Sequence, residues 1–264
     1  MEGPPVVITR PGERGDVLAA AIEACGLPVT RLEALRLEAL PETEEQRAAW
    51  LDVDQFRRVV VVSPFAAECL AEALDRFWPQ LPVGIDYYAV GAATADTLHR
   101  RLGVRVHVPT AETGEDTSEA LLQLGSLQGL AGEKVLLVAG EGGRTLLAET
   151  LAARGARVIR LAVYRRIPLP PSPDMQRRLA QGDFRALVVS SGEILEHLAR
   201  WCQGVALNQP LIVSSTRLAT LASKLGFRAP VVASGATPTA LTVALTAACH
   251  PQEADVDHDD LEKG

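Results

Sequence analysis

Apolar residues fall along this chain in two alternating patterns. One is a short uninterrupted run closed by glycine, proline or serine, and the other a longer stretch with apolar positions every three or four residues. Lys134 to Arg166 shows both. Val135 to Val138 is a short run suited to a strand buried on both faces of a parallel sheet. Gly140, Gly142 and Gly143 follow and predict a tight turn, since glycine accepts positive φ and close backbone approach. A helix then begins at Arg144 or Thr145 with Leu146, Leu147, Leu151 and Ala152 on one face, and Gly155 ends it where a left-handed residue is favoured. A second strand, Val158 to Val163, runs into Tyr164-Arg165-Arg166. Strand, turn, helix and strand predict one right-handed crossover unit.

The same unit stands at the start of the chain. Pro5 to Arg10 reads as a strand and Pro11 to Gly15 as a turn. Asp16 to Cys25 is a helix presenting Val17, Leu18, Ala21 and Ile22, Gly26 stops it, and Pro28 to Leu32 is the next strand, leading toward Leu37. The correspondence continues: Arg58 to Pro64 answers Arg185 to Ser191, Tyr88 to Thr94 answers Leu211 to Thr216, and Val106 to Thr110 answers Val231 to Gly235. A helix from Thr117 to Leu124 closes one half and one from Thr237 to Ala248 the other. Such internal repetition predicts two α/β halves of similar size, which the repeat alone would divide near Gly129.

Open parallel sheets hold ligands at the carboxyl ends of their strands. Here those ends carry Thr9 and Arg10, Ser63, Gly91 with Thr94, Tyr164, Ser190 and Ser191, Ser214 to Thr216, and Ser234. A lone Ser or Thr in such a place reads first as a helix N-cap. Their recurrence at one edge of both repeats predicts more, a cleft whose hydroxyls and amides hold several carboxylates. The Gly140–Arg144 turn matches neither GxGxxG nor the P-loop pattern, so no nucleotide fingerprint is present. It reads as a strand-to-helix turn, with amides holding a carboxylate or phosphate as the alternative.

Composition narrows the chemistry further. Aromatic residues make up only 4% of the 264 positions, and Ala, Leu and Val dominate a 47% hydrophobic total, which favours helices on a parallel sheet over a sandwich. Cys25, Cys69, Cys202 and Cys249 form no CxxC pair and are expected as buried free thiols in a reducing compartment. No HExxH or other ligand spacing links the five histidines, so no metal is expected; His197 reads as a solvated or half-buried face residue. Ser63 lacks a GxSxG elbow. Residues 250–264 carry −5 of the net charge of −7, and 251–264 are expected to be an acidic disordered tail. No basic stripe calls for nucleic acid, and neither a signal sequence nor an apolar run of membrane length is present, so a cytoplasmic protein without membrane contact is expected.

Several stretches taken together resemble the uroporphyrinogen-III synthase family. They are Leu137 to Leu147, Leu151 with Gly155 and Ala156, and Val163 to Arg166, supported by Ile8 to Pro11, Val62 to Pro64, Val90 to Ala95 and Pro238 to Leu241. The set covers most of residues 6 to 248 in the family's order. The resemblance implies two similar doubly wound parallel-sheet domains, flavodoxin-like, with the first unit of each repeat exchanged. Residues 1–36 and 168–250 would make a discontinuous first domain and 37–167 the second. Thr30 to Leu40 and Val158 to Pro168 would be a two-stranded connector permitting hinge motion.

It also implies cyclisation of hydroxymethylbilane to uroporphyrinogen III, with loss of water, inversion of the last pyrrole ring and no cofactor. Tyr164 would be catalytic, assisting departure of the hydroxyl with Arg165 or Arg166 near enough to tune it; packing of the connector is its other reading. Ser63, Thr94, Ser190, Ser191 and Ser215 match as carboxylate contacts, with Gly91, Thr216 and Arg10 added by position. Val213 to Leu218 lacks the family's usual glycine and threonine, and Arg10 could equally cap its own loop. The expected partners are this small molecule and, transiently, the preceding enzyme of the pathway, with the protein itself a monomer. The competing reading is a two-domain binding protein or isomerase for another anionic ligand such as a sugar phosphate.

Overall fold

The structure, a computed structural model, describes residues 3–109 and 117–249. The expected acidic tail and Thr110 lie outside the described residues. The chain divides into two compact units, Met1–Arg36 with Pro168–Gly264, and Leu37–Ile167. It begins in the first unit with β1 (Val6–Ile8), α1 (Gly12–Glu23) and β2 (Val29–Arg31), and passes to the second along β3 (Leu35–Ala39). There follow α2 (Glu44–Leu51), β4 (Arg58–Val61), α3 (Pro64–Phe77), β5 (Asp86–Ala89), α4 (Ala92–Leu102), β6 (Val106–His107), α5 (Ser118–Leu121), β7 (Lys134–Gly140), α6 (Leu146–Ala153) and β8 (Arg157–Pro168). The return to the first unit adds α7 (Pro173–Gln181), β9 (Ala186–Val189), α8 (Gly192–Ala199), β10 (Leu211–Val213), α9 (Thr216–Lys224), β11 (Pro230–Val232) and α10 (Pro238–Cys249).

Both units are α/β, with a parallel sheet in the first and a sheet parallel but for one edge strand in the second. The first unit orders its strands β11-β10-β9-β1-β2, the second β3-β8-β7-β4-β5-β6. The outermost β3 runs antiparallel to β8: Leu40 N–H donates to Val163 O and Leu169 N–H to Ala34 O, so partners descend as residue numbers rise. Under the sequence repeat, β1 and β2 answer β7 and β8, while β9, β10 and β11 answer β4, β5 and β6. The five-strand order is then the same in both units, reached by circularly permuted connections.

Each sheet is covered on both faces. Val7, Leu187, Val189, Leu211 and Val213 pack with residues of α7, α8 and α9, whereas Val6, Ile8, Ala186, Val188 and Ile212 face α1 and α10. In the second unit Val59, Val61, Tyr87 and Val138 join α2, α3 and α4, and Val60, Tyr88, Val135 and Leu137 join α5 and α6. Such burial on both sides is why these strands read as continuous apolar runs. Local chemistry sets the helix starts: Ser63 caps α3 ahead of Pro64, Ser172 caps α7 ahead of Pro173, and Thr43 and Gln46 form a capping box on α2.

Several sequence-based expectations are corrected. The first helix starts at Gly12 rather than Asp16, because Gly15 lets its first turn lie against Arg10; a Cβ there would collide with the Arg10 carbonyl oxygen. Thr30 to Leu40 is two strands, interrupted where Leu32 and Ala34 turn into the core of the first unit. The helix expected from Thr117 to Leu124 is only Ser118–Leu121, followed by a 3-10 turn at Gly125–Leu127. His197 is buried, and because a carbonyl can only accept, its Nε2 carries the proton donated to Leu169 O at 2.8 Å. Cys25 is exposed, since α1 ends at Glu23 and leaves it in the turn before Gly26.

Ile8 is fully buried between β2 and β9. Ile8→Ala should lower stability by about 2–5 kcal/mol, while Val17→Ala, at a half-exposed position of α1, should change it by less than about 0.5 kcal/mol. The midpoints of urea unfolding followed by circular dichroism check both.

Candidate active site

The carboxyl edge of the second unit is built around Tyr164. Strands β7 and β8 keep regular parallel register from Lys134 opposite Arg157 to Ala139 opposite Ala162, and then slip so that Gly140 faces Tyr164. A slip of this kind re-aims a side chain. Glu141 N–H fixes it by donating to Tyr164 O at 2.6 Å, and Gln46 Nε2 braces the same strand through Ala162 O at 2.6 Å. The tyrosine ring lies directly over Gly140: a Cβ at that position would be 2.7 Å from Cζ and 3.0 Å from Oη. Having crossed β7, the phenol reaches the end of β4, where Tyr164 Oη and Ser63 Oγ are hydrogen-bonded at 3.1 Å. The same Oγ accepts Ala66 N–H at 3.2 Å as the cap of α3. Phe65 meets the ring edge to face with centroids 5.2 Å apart, and Tyr164 retains 5% exposure.

Neighbouring groups are engaged elsewhere. Arg165 binds Glu38 through Nε and Nη2, at 3.2 and 2.5 Å, and the carboxylate raises the guanidinium pKa. The glycine turn is gathered on Arg160, whose Nη2 donates to Gly140 O at 2.8 Å and Gly142 O at 2.6 Å. With two of its carbonyls drawn onto a cation and the Glu141 amide on Tyr164 O, this turn is braced from within. Arg160 was missed by reading the sequence, although a lone cation inside the apolar run Val158 to Val163 was the available signal. Gly140 was read as a turn residue; its role under the ring depends on a strand register that no local pattern reveals.

On the adjoining strand, Gly91 is the N-cap residue of α4 and is buried. Its carbonyl accepts Thr94 N–H at 3.1 Å, and Thr94 itself is buried. With no side chain capping this helix start, the first amides of α4 are without a side-chain acceptor. Ser63, Gly91, Thr94 and Tyr164 thus share the edge of one unit.

The remaining candidates share the edge of the first unit, following the adjacent strands β1, β9 and β10. Thr9 is committed there, its hydroxyl donating to Val188 O at 3.1 Å to stitch β1 to β9. Arg10 Nη1 donates to Ala236 O, ahead of α10, rather than capping its own loop; desolvation and the nearby Arg14 lower its pKa. Ser191 occupies the N-cap position of α8 without a side-chain cap bond, beside Ser190. Ser215 Oγ accepts Leu218 N–H at 3.4 Å to cap α9, and Thr216, the first residue of that helix, is exposed.

Among the described residues no group of three or more His, Cys, Asp or Glu side chains could hold a metal ion, and no helix is long and apolar enough to cross a membrane. Burial and Glu72 push the Cys69 thiol up to about 11, and burial pushes Cys202 up to about 12, so neither offers a nucleophile near neutral pH.

Comparison with known proteins bears on this arrangement. A family model described as Uroporphyrinogen-III synthase HemD matches residues 16–243. The uroporphyrinogen-III synthase of Escherichia coli (strain K12) is 32% identical over 249 residues, covering 91% of this chain and 99% of that protein. That of Salmonella typhimurium is 34% identical over 250 residues, with the same coverage of 91% and 99%. Among solved structures, a mutant uroporphyrinogen III synthase from the extremely thermophilic bacterium Thermus thermophilus aligns over 92% of this chain and 99% of its own, with a TM-score of 0.57 at 22% identity. The enzyme from Helicobacter pylori 26695 aligns over 93% and 99%, with a TM-score of 0.61 at 16% identity. These two structures show the likeness of fold.

The thiol environments give a direct check. At pH 8 iodoacetamide should label Cys25 first, with Cys69 reacting about 100-fold more slowly than an ordinary thiol because its thiolate fraction is that much smaller. Cys202 should react only after unfolding. Peptide mass mapping of the labelled native protein reads the order.

Proposed function

The chain belongs to the uroporphyrinogen-III synthase family, and on that premise we propose that it cyclises hydroxymethylbilane to uroporphyrinogen III through the Tyr164 phenol. The observation that carries the assignment to Tyr164 is the seating of its phenol at the strand ends, packed across Gly140 and hydrogen-bonded with Ser63 Oγ at 3.1 Å. In the reaction the bond between the terminal methylene carbon and its hydroxyl breaks, the electron pair leaving with oxygen. That oxygen takes the phenol proton and departs as water, while the pyrrole nitrogen supplies electrons to form a protonated azafulvene, its N–H retained. The substituted α-carbon of ring D attacks this electrophile to give a spiro centre; the bond from that carbon to the methylene of the neighbouring ring then breaks, and the methylene rejoins ring D at its unsubstituted α-carbon, which inverts the ring. The proton released from that α-carbon as aromaticity returns goes back to the phenolate, so the protein ends unchanged.

Most of the remaining task is positioning a flexible chain with eight carboxylates. Arg10, Ser190, Ser191, Ser215 and Thr216 serve it in the first unit, and Gly91 and Thr94 in the second. Helix-start amides and hydroxyls suit this work, since they bind carboxylates without strong acid or base chemistry. In this reading 1–36 with 168–250 and 37–167 are two domains. The protein acts as a cytoplasmic monomer, needs no metal or organic cofactor, and meets the preceding enzyme of the pathway transiently.

Supplying hydroxymethylbilane in situ and separating isomers I and III by chromatography tests the assignment. The protein should give isomer III; isomer I alone would overturn it. Tyr164→Phe should lose about 100-fold or more in kcat, letting the spontaneous isomer I accumulate, and an unchanged rate would remove Tyr164 from the chemistry.

A further inference from the structure

We infer that Gly140 and Ser63 are positioning residues for the Tyr164 phenol and act on the reaction only through it. The inference rests on the catalytic reading of Tyr164 just given, and it moves Ser63 from carboxylate contact to orienting group. Two features of the site carry it.

The first is space. A Cβ at Gly140 would lie 2.7 Å from Cζ, 2.9 Å from Cε2 and 3.0 Å from Oη of Tyr164, well inside van der Waals contact. Backbone movement offers little relief, since β7 is paired with β4 as far as Val138 and with β8 as far as Gly140 itself. The ring would have to move instead, and it is held by Phe65 at its edge and by nearly complete burial. A displacement sufficient to clear the methyl carries Oη away from a Ser63 Oγ that now stands at 3.1 Å.

The second is the hydrogen-bond chain that ties the phenol to a helix start. Ala66 N–H donates to Ser63 Oγ at 3.2 Å, and the same Oγ is hydrogen-bonded with Tyr164 Oη at 3.1 Å. Each bond in such a series polarises the next. The serine, itself fixed by the first turn of α3, thus fixes the place of Oη, and its O–H can turn to donate to the phenolate left when the proton departs.

The test is a set of double-mutant cycles on the full-length protein, with kcat and KM for isomer III measured in the Tyr164 and Tyr164→Phe backgrounds. Gly140→Ala should lower kcat by about 10- to 100-fold with KM within about twofold, and Ser63→Ala should act in the same sense. Ser63→Thr, which keeps the hydroxyl, should restore most of the rate. In the Tyr164→Phe background each substitution should change the residual rate by less than about twofold, since the group being positioned is gone. Thermal melts identify the folded variants, and should Gly140→Ala fail to fold, the Ser63→Ala and Ser63→Thr pair completes the cycle. Equal losses in both backgrounds, or a rise in KM with kcat unchanged, would overturn the positioning roles while leaving Tyr164 catalytic. Full activity of Tyr164→Phe would instead overturn the reading on which they rest.

Discussion

Neighbouring strands of a sheet stand roughly 5 Å apart, so a side chain can cross one of them only where that strand has no side chain of its own. The packing of Tyr164 across Gly140 satisfies this condition, and the local geometry of the second unit follows from it. The register slip between Ala139 and Gly140 brings the glycine opposite the tyrosine. The Glu141 amide holds the slip in place, and the Arg160 guanidinium collects the carbonyls that the departing turn would otherwise leave unsatisfied. Ser63 is available at the far side because α3 begins there at Pro64, and the cap position favours a residue with a short oxygen-bearing side chain. A fold-level feature, the start of a helix, and a chemical one, a hydrogen-bond partner for the phenol, are met by the same atom.

The architecture was legible because it rests on long-wavelength features of the sequence. Uninterrupted runs such as Val135 to Val138 identify buried parallel strands, and the pairing of Arg58 to Pro64 with Arg185 to Ser191 anticipates the matching order of the two sheets. The site was legible only in outline. Tyr164, Ser63 and the hydroxyl-bearing strand ends could be located by position, but whether each hydroxyl is free depends on contacts made far along the chain. Thr9 illustrates the difference, since its hydroxyl is taken by Val188 on another strand. His197 is another case: burial against Leu169 depends on a return of the chain that helical spacing does not encode. Gly12 and Gly15 look like turn residues, yet they belong to a helix whose close approach to Arg10 requires a missing Cβ.

The two edges differ in chemical character. In the second unit the phenol, serine and glycine are tightly packed, and their partners lie within a few residues of strand ends that share one register. The first unit instead offers a guanidinium with lowered pKa beside Arg14, an N-cap serine without a cap bond at α8 and an exposed threonine at α9. Rigid seating suits a group that must deliver a proton at one atom. Dispersed, partly unengaged donors suit the binding of several carboxylates at once.

The permuted connections also bear on how the polypeptide is made. Strand β1 lies between β2 and β9, and the Thr9–Val188 bond that joins it to β9 spans 179 residues. Leu37–Ile167, by contrast, is one uninterrupted segment that contains all the strands of its own sheet except the first residues of β3 and the last of β8. During synthesis from the N-terminus, the second unit has nearly its whole sequence before the central partner of β1 exists. The opening β1-α1-β2 segment must therefore wait through the making of another domain with one edge of β1 unpaired. Its brevity, two strands of three residues each, keeps that exposed edge short.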